Sequence, residues 1–415
     1  MPVTTSSTVA HVVSLVIAVG AGSAVAEQRH IRDEAIIEHH HVPHGPLPER
    51  HETHAATITE TLDGTLIAAW FGGTKENDPD VDIWVSRKPP EAQWSEPIIV
   101  DDGAREVDGK RKEFACWNPV LFTDPKDGTI YLWYKITGAG REKGFKNWWG
   151  AVKTTNDQGR TWSERIWLPE VDREREGTKV FEPYNHRATG PVKNRPIVMP
   201  DGSLLCPSST ESGHGWKSHF EHYQADDWTG QKHGVKVYGP IMSGRSIQPS
   251  FVILSEDKQH LGVFLRDNGY TESKDGGKTW TKVLDSPIKT SKGLHAVTTK
   301  NNIHFLVHNP SDKRTPLSLS RSLDGKKWEV IIEDLWSDGS QSMDYPTIMQ
   351  ASDGKLHVVH TYGRNFIHHI VLDTEYLEGE GRASRTVPAA AVDIDEPLVD
   401  GSANLGAPRP QLCNQ

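Results

Sequence analysis

Cysteine is scarce. Cys116, Cys206 and Cys413 are the only three in 415 residues, too few for a disulfide framework and too scattered for a zinc site, although one pair could bridge. Basic charge is also in deficit, with 46 Lys and Arg against 56 Asp and Glu and a net charge of −10. That excludes the phosphate-neutralising excess on which a nucleic-acid binder depends. Only 35% of residues are hydrophobic and 25% are charged, with a mean hydropathy of −0.57, which excludes a multi-span membrane protein. The chain has no G-x-x-x-x-G-K-[ST], no G-x-G-x-x-G and no H-E-x-x-H, and so no sequence signal for an organic cofactor. Asn309-Pro310-Ser311 is barred by its proline from being an N-glycosylation acceptor. The 26 Pro, 36 Gly and 14 Trp are spread along the whole length, the composition of a turn-rich, aromatic-rich β protein.

Internal repetition sets the fold class. A turn followed by alternating apolar residues recurs as DGTLIAAW (63–70), DGTIYLWY (127–134), DGSLLCPS (201–208), KQHLGVFL (258–265), NNIHFLVH (301–308) and DGKLHVVH (353–360). Each copy predicts a tight turn and the inner strand of one antiparallel unit. A second element follows. TNDQGRTW (155–162) and SKDGGKTW (273–280) fit S/T-x-D-x-G-x-T-W, SLDGKKW (322–328) fits with one deletion, and SRKPPEAQW (86–94) keeps only the Ser and Trp. In this pattern the Asp closes a hairpin turn onto backbone N–H groups and the Trp packs between sheets. Six units at this spacing predict an all-β, six-bladed β-propeller with Asp-box hairpins. Asp101–Lys112 and YNHRATGPVKNRP are expected as long inter-strand loops, where propeller sites lie.

The ends read differently. Val12–Val19 is an apolar run, and small residues ending Ala24-Val25-Ala26 follow it. Residues 1–26 are therefore expected to be a secretory signal, though no Lys or Arg precedes the run. The propeller is expected over 27–385 and a poorly ordered Pro- and Ala-rich tail over 386–415. His39, His40, His41 and His44 read as a solvated loop, since their spacing defines no metal geometry. The carboxylates of NDPDVD (77–82) could hold Ca²⁺ but lack the Gly and distal Glu of a calcium loop.

With the Asp boxes, FGGTKENDPDVDIW (71–84), GPVKNRPIVMPDGSLLCPSSTE (190–211), SIQPSF (246–251), HNPSDKRTPLSLSRS (308–322) and YPTIMQASDGKLHVVHTYGR (345–364), the chain resembles the sialidase superfamily of Asp-box (BNR-repeat) propellers, in its sialidase-like branch, from about His51 to Asp373. The resemblance implies a carboxylate clamp of three arginines, with Arg314 in the third position and Arg266 in the second. His54 stands where the first would be. It implies Asp80 as the acid/base Asp, with Asp82 next. The Glu of the family's Tyr/Glu pair aligns with Gln248. The Tyr aligns with Met343, and Tyr345 lies two residues on.

Three functions follow. A glycoside hydrolase acting on a terminal sialic, ulosonic or uronic acid would need two carboxyls, Asp80 to protonate the leaving oxygen and Glu221 as partner. A uronate lyase would neutralise the carboxylate with Arg266 and Arg314 and move protons with His54, Tyr345, Tyr362 or Lys135. A non-catalytic propeller would bind acidic glycans without turnover. Gln248, Arg195 and Lys135 complete the substrate-binding candidates, and Trp117, Trp148, Trp149 and Trp216 are candidates for stacking on sugar rings. The protein is expected to be secreted or periplasmic, its partner an acidic glycan or oligosaccharide substrate, with no nucleic acid and no membrane after signal cleavage.

Overall fold

A computed structural model of the chain describes residues 31–45, 51–138, 148–171, 187–212, 215–239, 247–336 and 341–379. Turn chemistry and period-two alternation give 26 strands among them. Blade one holds β2 (Glu52–Glu60), β3 (Leu66–Gly73), β4 (Asp82–Lys88) and β5 (Ile98–Asp101), after an N-terminal strand β1 (Ile36–Val42). A hairpin of β6 (Arg105–Val107) and β7 (Lys110–Lys112) leads to blade two, which holds β8 (Cys116–Thr123), β9 (Ile130–Thr137), β10 (Trp148–Thr155) and β11 (Ile166–Trp167). Blade three is β12 (Ile197–Val198), β13 (Leu204–Ser212), β14 (Gly215–Tyr223) and β15 (Lys236–Tyr238). Blade four is β16 (Ser250–Ile253), β17 (Leu261–Leu265), β18 (Gly269–Ser273) and β19 (Leu284–Asp285). Blade five is β20 (Leu294–Thr298), β21 (His304–His308), β22 (Ser318–Ser322) and β23 (Glu329–Ile332). Blade six joins β24 (Met343–Gln350), β25 (Leu356–Tyr362) and β26 (Phe366–Leu372) to β1, so the start of the described chain closes the ring.

Each sheet is four-stranded and antiparallel, and the six form the predicted propeller. The alternating runs predicted as inner strands are in fact the second strand of every blade: β3, β9, β13, β17, β21 and β25. That position is covered on both faces by neighbouring blades, so it carries the strongest apolar signal. The innermost strands have a more irregular sequence because they face the axis. They are bulged between His54 and Thr57, Trp117 and Val120, and Asp344 and Thr347. A left-handed backbone recurs there, at Ala55 (φ 56°), Asn118 (39°), Gln248 (55°) and Tyr345 (48°). Each bulge turns a side chain toward the mouth of the channel.

The Asp boxes close the turn between third and fourth strands. Asp275 accepts from Thr279 N (2.9 Å), Thr279 Oγ1 (2.6 Å) and Ser273 Oγ (2.8 Å). Burial pushes the Asp157 carboxyl up, but hydrogen bonds from Thr161 and Thr155 overcome it and hold it at about 2. The box tryptophans pack across blades as expected, Trp280 on Phe220 at 4.1 Å and Trp328 against Phe264 at 4.9 Å. Buried aromatic and branched side chains fill the space between successive sheets, with Trp70 and Trp133 fully inside. Cys116 and Cys206 are free and buried on different blades, so the pair does not bridge. Cys413, the signal segment 1–26 and the tail 386–415 lie outside the described residues.

Two loop expectations are revised. The stretch from Asp101 to Lys112 folds into the β6–β7 hairpin, with register Arg105↔Lys112. His39, His40 and His41 are not in a solvated loop; they lie in β1 and pair with Ile370, His369 and His368 of β26. Backbone pairing that closes the ring outweighs the low strand preference of a histidine run.

A candidate active site at the channel mouth

The innermost strands run side by side in one direction. Thr347 Oγ1 donates to Ala56 O (2.9 Å), and Ser250 Oγ accepts from Ala296 N (2.8 Å). Their first residues therefore converge on one face. Blade one brings His54, blade four Gln248 and Arg266, blade five Arg314, and blade six Asp344, Tyr345 and Arg364.

Tyr345 is the centre. Its hydroxyl accepts from Gln248 Nε2 (3.0 Å) and lies 3.4 Å from Arg266 Nη1. The His54 ring stacks on it with centroids 4.3 Å apart and meets Phe71 edge-on at 5.5 Å. Arg314 Cζ lies 5.4 Å from the Tyr345 ring centre. The bulge at Asp344–Thr347 brings Tyr345, rather than Met343, to the position beside Gln248; Met343 is buried in the core. From Asp344 to Thr347 the strand takes three steps against two from Thr361 to Val359 on β25, one extra residue that an alternating reading of the sequence does not count.

The three arginines differ in what already holds them. Arg364 pairs with Glu76 (2.5 Å) and Glu52 (3.2 Å). Arg314 Nη1 lies 3.0 Å from the buried Asp344 Oδ1. Arg266 has no carboxylate partner among the described residues, and its Nε is buried without an acceptor. His54 is fully buried with Nδ1 unpaired. Burial, then the Arg364, Arg314, Arg266 and Lys193 charges, hold its pKa well below the ordinary histidine value, so it is neutral. Lys193 seals the channel below, donating to Leu294 O (2.8 Å) and Pro346 O.

Two carboxyls at this mouth are held near neutrality. Asp82 is pushed up to about 7 by burial and then by Asp102, Asp80, Glu113 and Asp101. Asp80, one strand-end away, is exposed and accepts from Thr74 Oγ1 (2.6 Å) and Thr74 N (3.1 Å). Glu211, at the end of β13, is pushed up to about 7, chiefly by burial, with Arg266 pulling the other way. Sequence reasoning missed Glu211 and Arg364 as site groups, although both close motifs that carry the family resemblance. Their spacing holds no signal, because blades distant in sequence bring them in.

Three predicted site residues lie elsewhere. Glu221 is fully buried and accepts from Thr189 N (2.8 Å), Gly190 N (2.8 Å) and Tyr223 Oη (2.7 Å), with His219 Nε2 at 3.2 Å. It staples the 188–190 segment to β14. Arg195 Cζ lies 5.2 Å over Phe122 and is coupled to Glu60, at the opposite ends of β8 and β2 from His54. It belongs to the far face. Lys135 donates to Pro191 O inside the wall between blades two and three, and burial lowers its pKa to about 7. Trp117 and Trp148 are core residues. Trp149 is half-buried with Arg105 and Arg187 each 4.6 Å from its ring centre. No group of three or more His, Cys, Asp or Glu side chains among the described residues has the geometry to hold a metal ion.

The fold and this mouth define a six-bladed propeller of sialidase-like architecture. The chain matches the BNR repeat-like domain over residues 64–358 and belongs to that family. Among solved structures, a protein of unknown function from Dyadobacter fermentans DSM 18053 aligns at 16% identity and TM-score 0.63, over 81% of this chain and 98% of that one. The Hadza microbial sialidase Hz136 aligns at 18% and TM-score 0.60, over 78% and 66%. Trypanosoma rangeli sialidase in complex with the inhibitor DANA aligns at 16% and TM-score 0.61, over 81% and 58%. Likeness at this identity shows the fold. No curated protein matches the chain.

Proposed function

We propose that this chain is a secreted carbohydrate-active enzyme that hydrolyses the glycosidic bond of a terminal acidic sugar. The observation that carries the reading is Arg266: a guanidinium with no carboxylate partner among the described residues, beside the Tyr345 hydroxyl at the channel mouth. An arginine cannot discharge by losing its proton, so an anion is its natural complement. Arg314, oriented by Asp344, supplies the second half of a carboxylate clamp. Asp80 and Asp82 are the proton donors for the leaving oxygen, Asp82 having the pKa suited to the task. Gln248 donates to the Tyr345 oxygen and cannot accept its proton as a carboxylate would. The reaction assigned here is therefore direct attack by water between two carboxyls rather than attack by Tyr345.

One observation favours a second reading. His54 is neutral, stacked on Tyr345 and unpaired at Nδ1, a base beside a phenol as β-elimination from a uronate requires. Incubation with sialylated, ulosonate- and uronate-terminated oligosaccharides separates the readings. Hydrolysis adds the mass of water and creates no chromophore. Elimination leaves an unsaturated uronate that absorbs in the ultraviolet. Saturable binding with neither product leaves a glycan-binding module and rejects both reactions.

A further inference from the structure

A direct hydrolysis needs a group to take the proton from water, and neither Gln248 nor Glu221 can do so. We propose that Glu211 is that group, placed on blade three where it does the work for which Gln248, on blade four, has no carboxylate; the inference rests on the hydrolase reading above.

The geometry points there in three ways. Glu211 ends β13, a second strand, and second strands run opposite to the innermost ones, so β13 finishes at the face where β16 and β24 begin. Its neighbours in charge are Arg266 and Glu76, members of the clamp and of the Arg364 pair, with Lys135 behind it in the blade wall. Its Oε1 is buried and has no hydrogen-bond partner. A buried carboxyl oxygen without a donor is expensive to leave in a fold. Glu221, ten residues on, shows the alternative: its carboxylate is saturated by backbone, Tyr and His donors. Of these two glutamates on adjacent strands, Glu221 is saturated by its neighbours and Glu211 keeps one carboxyl oxygen without a donor.

In the proposed step a water oxygen bonds to the anomeric carbon as the bond to the leaving oxygen breaks. The water proton passes to the Glu211 carboxylate, and the leaving oxygen takes a proton from the Asp80/Asp82 pair. Solvent then restores both carboxyls, so one water is consumed and no other reactant is needed. The pKa of about 7 leaves Glu211 partly ionised at neutral pH and basic enough to accept.

The test uses the full chain and its Glu211→Gln and Glu211→Asp variants. The probes are 4-methylumbelliferyl glycosides of N-acetylneuraminic, 3-deoxy-octulosonic and glucuronic acids. The wild type is expected to show a bell-shaped pH–rate profile centred near 7, with Glu211 setting the rising limb and the Asp80/Asp82 pair the falling one. Glu211→Gln should lose ~100-fold or more in kcat, with KM changed less than about threefold and the rising limb gone. Glu211→Asp should retain the limb. A Gln variant that keeps rate and limb overturns the assignment. So does a variant that loses both kcat and probe binding, since a misfolded mouth explains that result. A wild type that binds a probe through Arg266 but turns none over removes the hydrolase reading, and the role of Glu211 with it.

Discussion

The channel mouth and the seam that closes the ring both crowd ionisable side chains together, and they resolve the crowding in opposite ways. At the seam, β1 lies on β26 and β26 on β25, with His41, His368 and His360 in register across the three strands. His40 and His369 face the other side. Trp94 Nε1 donates to His369 Nδ1 (3.3 Å), and the His369 and His357 rings join at 2.9 Å; His360 and His368 join at 3.2 Å. A neutral imidazole is both donor and acceptor, so the Trp94 bond sets the His369 tautomer and makes its Nε2 the donor to His357; the two chains end at His357 Nε2 and His368 Nε2, which are buried without a hydrogen-bond partner but uncharged. At the mouth Arg266 can neither discharge nor accept, and the fold leaves its Nε without a partner. The difference is one of charge: the seam imidazoles lose theirs on burial, and the guanidinium keeps its own.

The largest effect comes from removing a buried carboxylate that backbone and side-chain donors already saturate. Glu221→Ala strands two backbone N–H groups and the Tyr223 hydroxyl, and should cost ~3–5 kcal/mol of stability. A thermal melt lowered by less than a degree or two would show that Glu221 is no staple. Next comes the mouth. Arg266→Ala should weaken binding of an acidic sugar by ~100-fold, about 2.7 kcal/mol, with little change in Tm. Titration calorimetry with glucuronate and with N-acetylneuraminate reads it, and unchanged affinity would end the clamp assignment. Arg314→Ala is the less clean probe, because it also strips the buried Asp344 of a partner.

The seam answers to pH. Burial lowers the His360 pKa to about 4; burial and the His360, His41, His39 and His40 charges lower that of His368 to about 2. Both therefore sit below the unfolded value of about 6.5. Their stabilising contribution is full above that value and is lost as pH falls from it toward the folded values. The slope is roughly 1.4 kcal/mol per pH unit for each imidazole that stays neutral in the fold. Denaturant melts from pH 7.5 to 5 should show the loss, and His360→Gln should reduce it. An unaltered slope in that variant would place the acid sensitivity elsewhere, for instance at buried His54 or His308. The smallest effect is expected from a group outside both clusters. Asp275→Ala breaks one Asp box and should cost ~1–2 kcal/mol without altering binding.

Much of the architecture was legible because it is written in local chemistry. Period-two runs repeat six times, four of them opened by Asp-Gly turns, and Asp boxes three times, and each acts within about ten residues. Arg266, Arg314 and Gln248 were also legible, since each sits in a recognisable stretch beside a strand end. The register of Tyr345 was not, because a β-bulge adds a residue without leaving a mark in the apolar pattern. Nor was the role of the histidine run, whose strand structure comes only from pairing with residues more than 300 positions away.

Sequence by itself thus determined the blade count, the box hairpins and the kinds of charged side chain available to the site. Tertiary structure alone decided which glutamate is saturated by its neighbours and which keeps an oxygen without a donor, which arginine is already paired, and which end of the channel Arg195 faces. Turns and strand periodicity depend on neighbours along the chain, and so survive in a linear reading. Burial, ion pairing and proton affinity depend on neighbours across the axis, and those exist only once six blades have closed into a ring.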